Sequence, residues 1–307
     1  MNDVVTAARL VSAIVDFLGD DDLLPTEDVR AELLREVDAA GPAALLELRS
    51  QLAMDIGWGY YPRDPVAQRI HHVLAARFLR PESRISGIEH LAGASAEPIV
   101  ICANHLSYAD ANVIEVLLQQ SGAAQMTDRL TAIAGPKVFS DRQRRFSSLC
   151  FGTIKVPQSS DVSSEDAVLS TREVARAARQ SIDAALKRLA AGDVLLLFPE
   201  GTRSRTADMR TFLPGAARYF EMPGTWIVPL GIVGSEMLFP IGSAQLQPAV
   251  VTAAIGAPLR ADTILAAAAG DRQRAMDAIG RAIASLLPDN YRGVYGHGHG
   301  IHGVHGV

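Results

Sequence analysis

A chain of 307 residues, 48% hydrophobic and 21% charged, can bury a full core, which excludes a disordered or fibrous protein. Its formal net charge of −5 argues against a nucleic-acid binder and against broad electrostatic adhesion to an anionic membrane. Two cysteines, Cys102 and Cys150, are too few for a disulfide framework, and Cys102 sits inside an apolar run as a buried, reduced thiol would.

The opening Met1-Asn2-Asp3 lacks the basic start of a signal peptide. No apolar run approaches the roughly 20 residues that span a bilayer. The expectation is a cytoplasmic protein, with peripheral membrane contact still compatible. Residues 4–18 place Val4, Ala8, Val11, Ile14 and Leu18 at helical spacing, and Gly19 with Asp20-Asp21-Asp22 ends the run. With Arg9 as its only basic residue, that helix suits bundle packing better than a membrane surface. Pro25-Thr26-Glu27-Asp28 opens a second helix and Gly41-Pro42 breaks it. Residues 43–54 read as a third helix, and Asp64-Pro65 begins a fourth that runs toward Pro81 and carries His71 and His72. The two histidines have no neighbouring ligand pattern and read as bundle residues. Helices without an intervening strand signal predict a helical module over residues 1–84.

From about residue 85 strands alternate with helices. Strands are expected at 99–103, 130–134, 151–156, 194–198, 226–233 and 250–255, and helices at 111–120, 165–190 and 275–287. This alternation predicts an α/β domain over residues 85–293, with a mixed, largely parallel sheet flanked by helices and preceded by the small helical bundle. Residues 294–307 contain four histidines spaced by glycine. Such a stretch holds no preorganised metal site, so a flexible tail and no bound metal are expected.

Two loops carry the chemistry. Asn104-His105-Leu106-Ser107-Tyr108-Ala109-Asp110 follows the strand at 99–103 and runs into a helix. A strand-to-helix turn can bring Asp110 to one imidazole nitrogen of His105, leaving the other to act as a base on a hydroxyl. The five-residue offset is too long for neighbours on a continuous helix, so the turn is required. Read alone, such a pattern arises often by chance, and a loop histidine beside a helix-capping Asp110 is the better reading. The second loop, Phe198-Pro199-Glu200-Gly201-Thr202-Arg203-Ser204-Arg205, leaves the strand at 194–198, where α/β sheets place ligands. Gly201 permits a tight turn, Glu200 orders the loop or holds a substrate hydroxyl, and Arg203 and Arg205 suit a phosphate. Arg142-Gln143-Arg144-Arg145 reads as a solvated basic loop, or else as a landing site for an acidic partner.

Together these blocks resemble the glycerolipid acyltransferase superfamily, which includes glycerol-3-phosphate and lysophosphatidate acyltransferases of phospholipid synthesis. The likeness covers residues 98–232 and adds a fourth block, Val228-Pro229-Leu230-Gly231-Ile232. It implies that His105 is the general base and Asp110 its partner. It also implies that Glu200, Gly201 and Arg203 contact the acceptor, with Arg205 on its phosphate. Asn104 and Thr202, inside the same blocks, and Lys137 in Ala134-Gly135-Pro136-Lys137 complete the expected substrate set. The helical N-terminal module is similar to the layout of plastid-type glycerol-3-phosphate acyltransferases. The second block departs: the family has basic residues after this strand, whereas Gly152-Thr153-Ile154-Lys155-Val156-Pro157 offers only Lys155 as a substitute. The implied reaction takes an acyl group from a coenzyme A or acyl carrier protein thioester to a hydroxyl, with no cofactor. Acyl transfer to an amine or a non-phosphate alcohol, and a non-catalytic acyl-binding protein, are the alternatives.

Overall fold

The computed structural model describes residue 12 and residues 26–92, 97–140, 142–157, 170–243 and 246–296. The helix expected over 4–18 and the histidines from His297 onward lie outside them.

The sheet forms where β-branched and aliphatic residues run together. In β3 (Ile99–Ala103) every residue is at most 1% exposed, and β6 (Val194–Leu197) is buried throughout. Such continuous apolar runs belong to strands covered on both faces. The remaining strands are β1 (Tyr60–Tyr61), β2 (Arg84–Ser86), β4 (Leu130–Ala134), β5 (Gly152–Lys155), β7 (Trp226–Val233), β8 (Thr252–Ile255) and β9 (Leu259–Arg260). Among the described residues they make one sheet in the order β1-β5-β4-β6-β3-β7-β8-β2, with β9 pairing β7. β5, β4, β6, β3 and β7 are mutually parallel, while β1, β8 and β9 pair antiparallel with β5 and β7. The mixed, largely parallel sheet expected from the sequence is therefore present. Pro229 falls between the part of β7 paired to β9 and the part paired to β8, so the ladder on that side loses nothing to its missing N–H.

Helices form where capping and spacing agree. In α1 (Thr26–Ala53) the positive φ of Gly41, 79°, and Pro42 break the helix as expected. α2 (Pro65–Phe78) is capped by Asp64, whose carboxylate accepts from Val66 N at 2.8 Å and Ala67 N at 3.0 Å. α3 (Asp110–Gln120) follows β3, and α4 (Arg142–Ser148) lies between β4 and β5. α5 (Thr171–Ala190) starts at a reciprocal Ser170–Glu173 capping box and buries Ala177, Ser181, Ala185 and Leu189 at every fourth position. α6 (Arg272–Ala284) closes the domain.

Connection order decides which helix covers which face. β3–α3–β4 moves one way along the sheet, and β5–α5–β6 moves the other way. Right-handed crossovers in opposite directions put α3 and α5 on opposite faces. α1, α2 and α4 gather on the α3 side; α6 and the 3-10 turn Pro214–Phe220 gather with α5.

Three observations go beyond the expected layout. The N-terminal helices share one apolar core with the sheet, running from Val29, Leu33 and Val66 to Ile283 and Tyr291. The stretch before residue 84 also contributes β1, which the sequence pattern did not announce. At the other end, the chain is packed as far as residue 296: Val294 N donates to Met209 O, and the Tyr295 ring meets Phe212 edge-on at 5.1 Å. No helix among the described residues is long and apolar enough to cross a membrane.

Candidate active site

The two loops leave the carboxyl ends of adjacent strands, β3 and β6, and are bonded to each other. Asn104 closes the end of the β3–β7 ladder with its side chain: Nδ2 donates to Ile232 O at 2.9 Å, and Oδ1 accepts from Ile232 N at 2.8 Å. The next residue turns out of the sheet. His105 N donates to Glu200 Oε1 at 2.8 Å, and His105 O accepts from Ser204 N at 2.7 Å. His105 is thus gripped on both sides by the second loop.

Asp110, at the first position of α3, is wholly buried and faces back over the turn. Its Oδ2 accepts from His105 Nδ1 at 2.8 Å, Leu106 N at 2.7 Å and Ser107 N at 3.0 Å, while Oδ1 accepts from Ser235 Oγ at 2.5 Å. A carboxylate only accepts, so His105 carries its proton on Nδ1 and leaves Nε2 as the basic nitrogen. The Phe198 ring stacks on the imidazole at 4.4 Å and 26°, fixing its plane. The turn thereby supplies the His–Asp contact that the sequence spacing required. It also commits the amides of residues 105, 106 and 107, so donors for an oxyanion must come from elsewhere in the site.

His105 borders a cavity of about 1060 Å3. Its lining is drawn from both faces of the sheet: Leu74 and Phe78 of α2 on one side, and Val174, Ala178 and Ile182 of α5 on the other. The cavity straddles the carboxyl edge of β4, β6 and β3 and is mostly apolar. Tyr108, Lys137, Arg144, Thr202 and Arg203 add polar groups to its wall.

The expected substrate-contacting residues divide. Lys137, Gly201, Thr202 and Arg203 do line the cavity. Asn104 does not, because its amide is spent on β7. Glu200 does not either: it is 4% exposed, with Oε1 on His105 N and Oε2 on Arg210 N at 2.9 Å. Of its two expected roles, the geometry gives it the loop-ordering one. Burial pushes the Glu200 carboxyl up to about 7, against the two amide hydrogen bonds and nearby His105, which favour its ionised form. Lys155 points away, with Nζ 3.7 Å from Asp55 Oδ1 and 5.3 Å from the centre of the Trp58 ring. Arg205 is exposed and outside the lining.

Two residues at the cavity were not singled out for it. Arg144 and Arg145 adjoin in sequence but part in space. Arg145 is buried, bonded to Gln51 O at 3.0 Å, whereas Arg144 reaches the cavity and lies over the Tyr108 ring. His71 also borders the cavity, with Nε2 3.2 Å from Asn112 O, and burial lowers its pKa. His72 pairs instead with buried Glu115 at 2.9 Å.

The description of a known family, Acyltransferase, matches residues 82–233, the span that contains both loops and β7. The match covers just under half of the chain. A 1-acyl-sn-glycerol-3-phosphate acyltransferase of Chlamydomonas reinhardtii is 35% identical over 101 residues, 33% of this chain and 28% of the relative. The matched stretch thus spans little more than a quarter of that curated relative. Among solved structures, the 1-acyl-sn-glycerophosphate (LPA) acyltransferase PlsC from Thermotoga maritima is 17% identical, covering 91% of this chain and 95% of its own, with a TM-score of 0.48.

Proposed function

We propose that the protein is an O-acyltransferase that esterifies a hydroxyl of a phosphate-bearing glycerolipid from an acyl thioester. The observation that carries the reading is the His105 Nδ1–Asp110 Oδ2 contact of 2.8 Å at the edge of a large apolar cavity. His105 Nε2 takes the proton of the acceptor hydroxyl as its oxygen forms the bond to the thioester carbonyl. The tetrahedral intermediate collapses, the C–S bond breaks, and the His105 imidazolium passes its proton to the departing sulfur, which leaves as the free thiol and restores the neutral base. Buried Asp110 stabilises the imidazolium in between. The donor is a coenzyme A or acyl carrier protein thioester.

The cavity also bears on the acceptor. At about 1060 Å3 it exceeds the ~300–1,000 Å3 common for small-molecule pockets, and its apolar wall continues down both faces of the sheet. Room on both sides of His105 suits two acyl chains, one from the donor and one already on the acceptor. That favours 1-acylglycerol 3-phosphate, the acceptor named in the Chlamydomonas relative, over glycerol 3-phosphate. The helical N-terminal layout, similar to plastid-type glycerol-3-phosphate acyltransferases, makes the unacylated acceptor the second reading.

Free-thiol release, measured with acyl-CoA across a panel of acceptors, tests both parts. His105→Ala is expected to cut turnover by ~10²–10⁴. Near wild-type transfer by that variant would overturn the mechanism, and a preference for glycerol 3-phosphate would overturn the acceptor assignment. Tight acyl-chain binding without turnover on any acceptor would make it a binding protein.

A further inference from the structure

The fourth block of the family likeness, residues 228–232, brings no side chain to the cavity, and none of residues 226–235 lines it. Its link to the chemistry lies just beyond the strand. Asn104 locks the end of β7 by bonding both Ile232 N and Ile232 O. Gly234 then turns the chain at φ +89°, packed so closely that a Cβ there would lie 2.3 Å from Val250 O. The next residue, Ser235, is 0% exposed and donates its hydroxyl to Asp110 Oδ1 at 2.5 Å. After it, Glu236 Oε1 accepts from Tyr291 OH. Ser235 is thus held in place by its neighbours on both sides.

The two oxygens of Asp110 are not equivalent. Oδ2 collects His105 Nδ1, Leu106 N and Ser107 N, whereas Oδ1 has Ser235 as its one partner among the described residues. Asp110 is wholly buried, so water does not replace that donor. The terminal torsion of a carboxylate is broad and roughly two-fold, and the donors on its two oxygens decide where its plane sits. Ser235 pins the edge that the turn leaves free. Lying outside the cavity, it reaches the base through Asp110.

We propose that Ser235 is a positioning residue for acyl transfer: it sets the plane of the Asp110 carboxylate, and with it the direction in which His105 Nε2 faces the acceptor hydroxyl. The inference rests on the acyl-transfer reading for the reaction it serves. It also gives the fourth block a task, since that strand carries the donor that orients the partner of the base. A reacting group misplaced by ~1 Å can lose ~10²-fold in rate, so a fixed carboxylate plane matters to turnover.

The experiment measures kcat and KM by thiol release, with acyl-CoA and 1-acylglycerol 3-phosphate, for Ser235→Ala and Ser235→Thr, each made in wild type and in Asp110→Asn. In the wild-type background Ser235→Ala should lower kcat by ~10–10²-fold. KM for both substrates should stay unchanged, because Ser235 lies outside the cavity. Ser235→Thr keeps the hydroxyl and should keep kcat near the wild-type value. In Asp110→Asn there is no charge left to place, so Ser235→Ala should add little further loss. A residue needed only for folding would cost both backgrounds alike. Ser235→Cys, with a weak S–H donor of similar size, should fall between, and it serves if the alanine variant does not fold. The proton resonance of His105 Nδ1, identified by its loss in His105→Ala, gives a readout independent of turnover. It should broaden in Ser235→Ala and persist in Ser235→Thr. Unchanged kcat and an unchanged resonance in Ser235→Ala would overturn the inference, as would an equal fall in both backgrounds. Transfer retained in His105→Ala would remove the acyl-transfer mechanism, and the resonance would still decide whether Ser235 holds the His–Asp pair.

Discussion

Replacing Asp110 separates its electrical role from its structural one. In Asp110→Asn the side-chain oxygen can keep the Oδ2 position, with its three donors from His105, Leu106 and Ser107. The new NH2 then faces Ser235 Oγ, which can rotate to accept. The fold of the turn is retained, and what goes is the negative charge that stabilises the His105 imidazolium. Turnover should therefore fall by ~10²–10⁴. Stability should drop by only about 1–3 kcal/mol, as charge-assisted hydrogen bonds become neutral ones. Asp110→Ala is a different perturbation. Leu106 is 2% exposed and Ser107 0%, so their N–H groups cannot turn to water once the carboxylate is gone. At ~1–3 kcal/mol for each orphaned donor, these two amides alone cost about 2–6 kcal/mol, a large part of a typical ~5–15 kcal/mol of stability. Thiol-release kinetics and urea unfolding on both variants give the two readouts. A folded Asp110→Asn protein with near wild-type turnover would refute the electrostatic role. An alanine variant no less stable than the asparagine one would refute the hydrogen-bond accounting.

Two further outcomes follow from the second loop. Gly201 has φ +68°, and a Cβ there would lie 2.4 Å from Leu213 Cδ1; Gly201→Ala adds that clash to a left-handed strain of ~1–2 kcal/mol. Both Tm and turnover should fall, and an unchanged Tm would count against the loop geometry. Glu200, held up to about 7 when folded, gives up its proton near ~4.3 in the unfolded chain. Its contribution to stability is full below ~pH 4.3 and is lost as pH rises through 7, about 4 kcal/mol in all. Urea unfolding of wild type and Glu200→Gln from pH 4 to 8 should show their difference shifting over that window; a flat difference sinks the assignment.

The central strands were readable because they are buried on both faces. Ile99–Ala103, Leu130–Ala134 and Trp226–Val233 stand out as runs of aliphatic residues between turn signals, and their bounds are those expected from sequence. Tyr60–Tyr61 was not readable, since a two-residue strand exists only through its pairing to Thr153 and Ile154, more than 90 residues away. The His–Asp pair was legible as a spacing that demanded a turn. The partition of the charged residues was not. Glu200, Lys155, Arg144 and Arg145 are each a charge near an element end. Only the packing of α4, β5 and the two loops decides which of them meets an amide, an aspartate, a carbonyl or the cavity.

The double grip on His105 has an evolutionary consequence. Its N–H and C=O are both held by the second loop, across a separation of 95 residues to Glu200. That distance along the chain plays no part in the geometry, because the two loops meet through the neighbouring strands β3 and β6. Segments of the intervening chain outside the 105–110 turn, α3 and β6 can lengthen or shorten without moving the base. A change of backbone path in either loop, by contrast, is felt at once by the other, so the two must vary as a single unit.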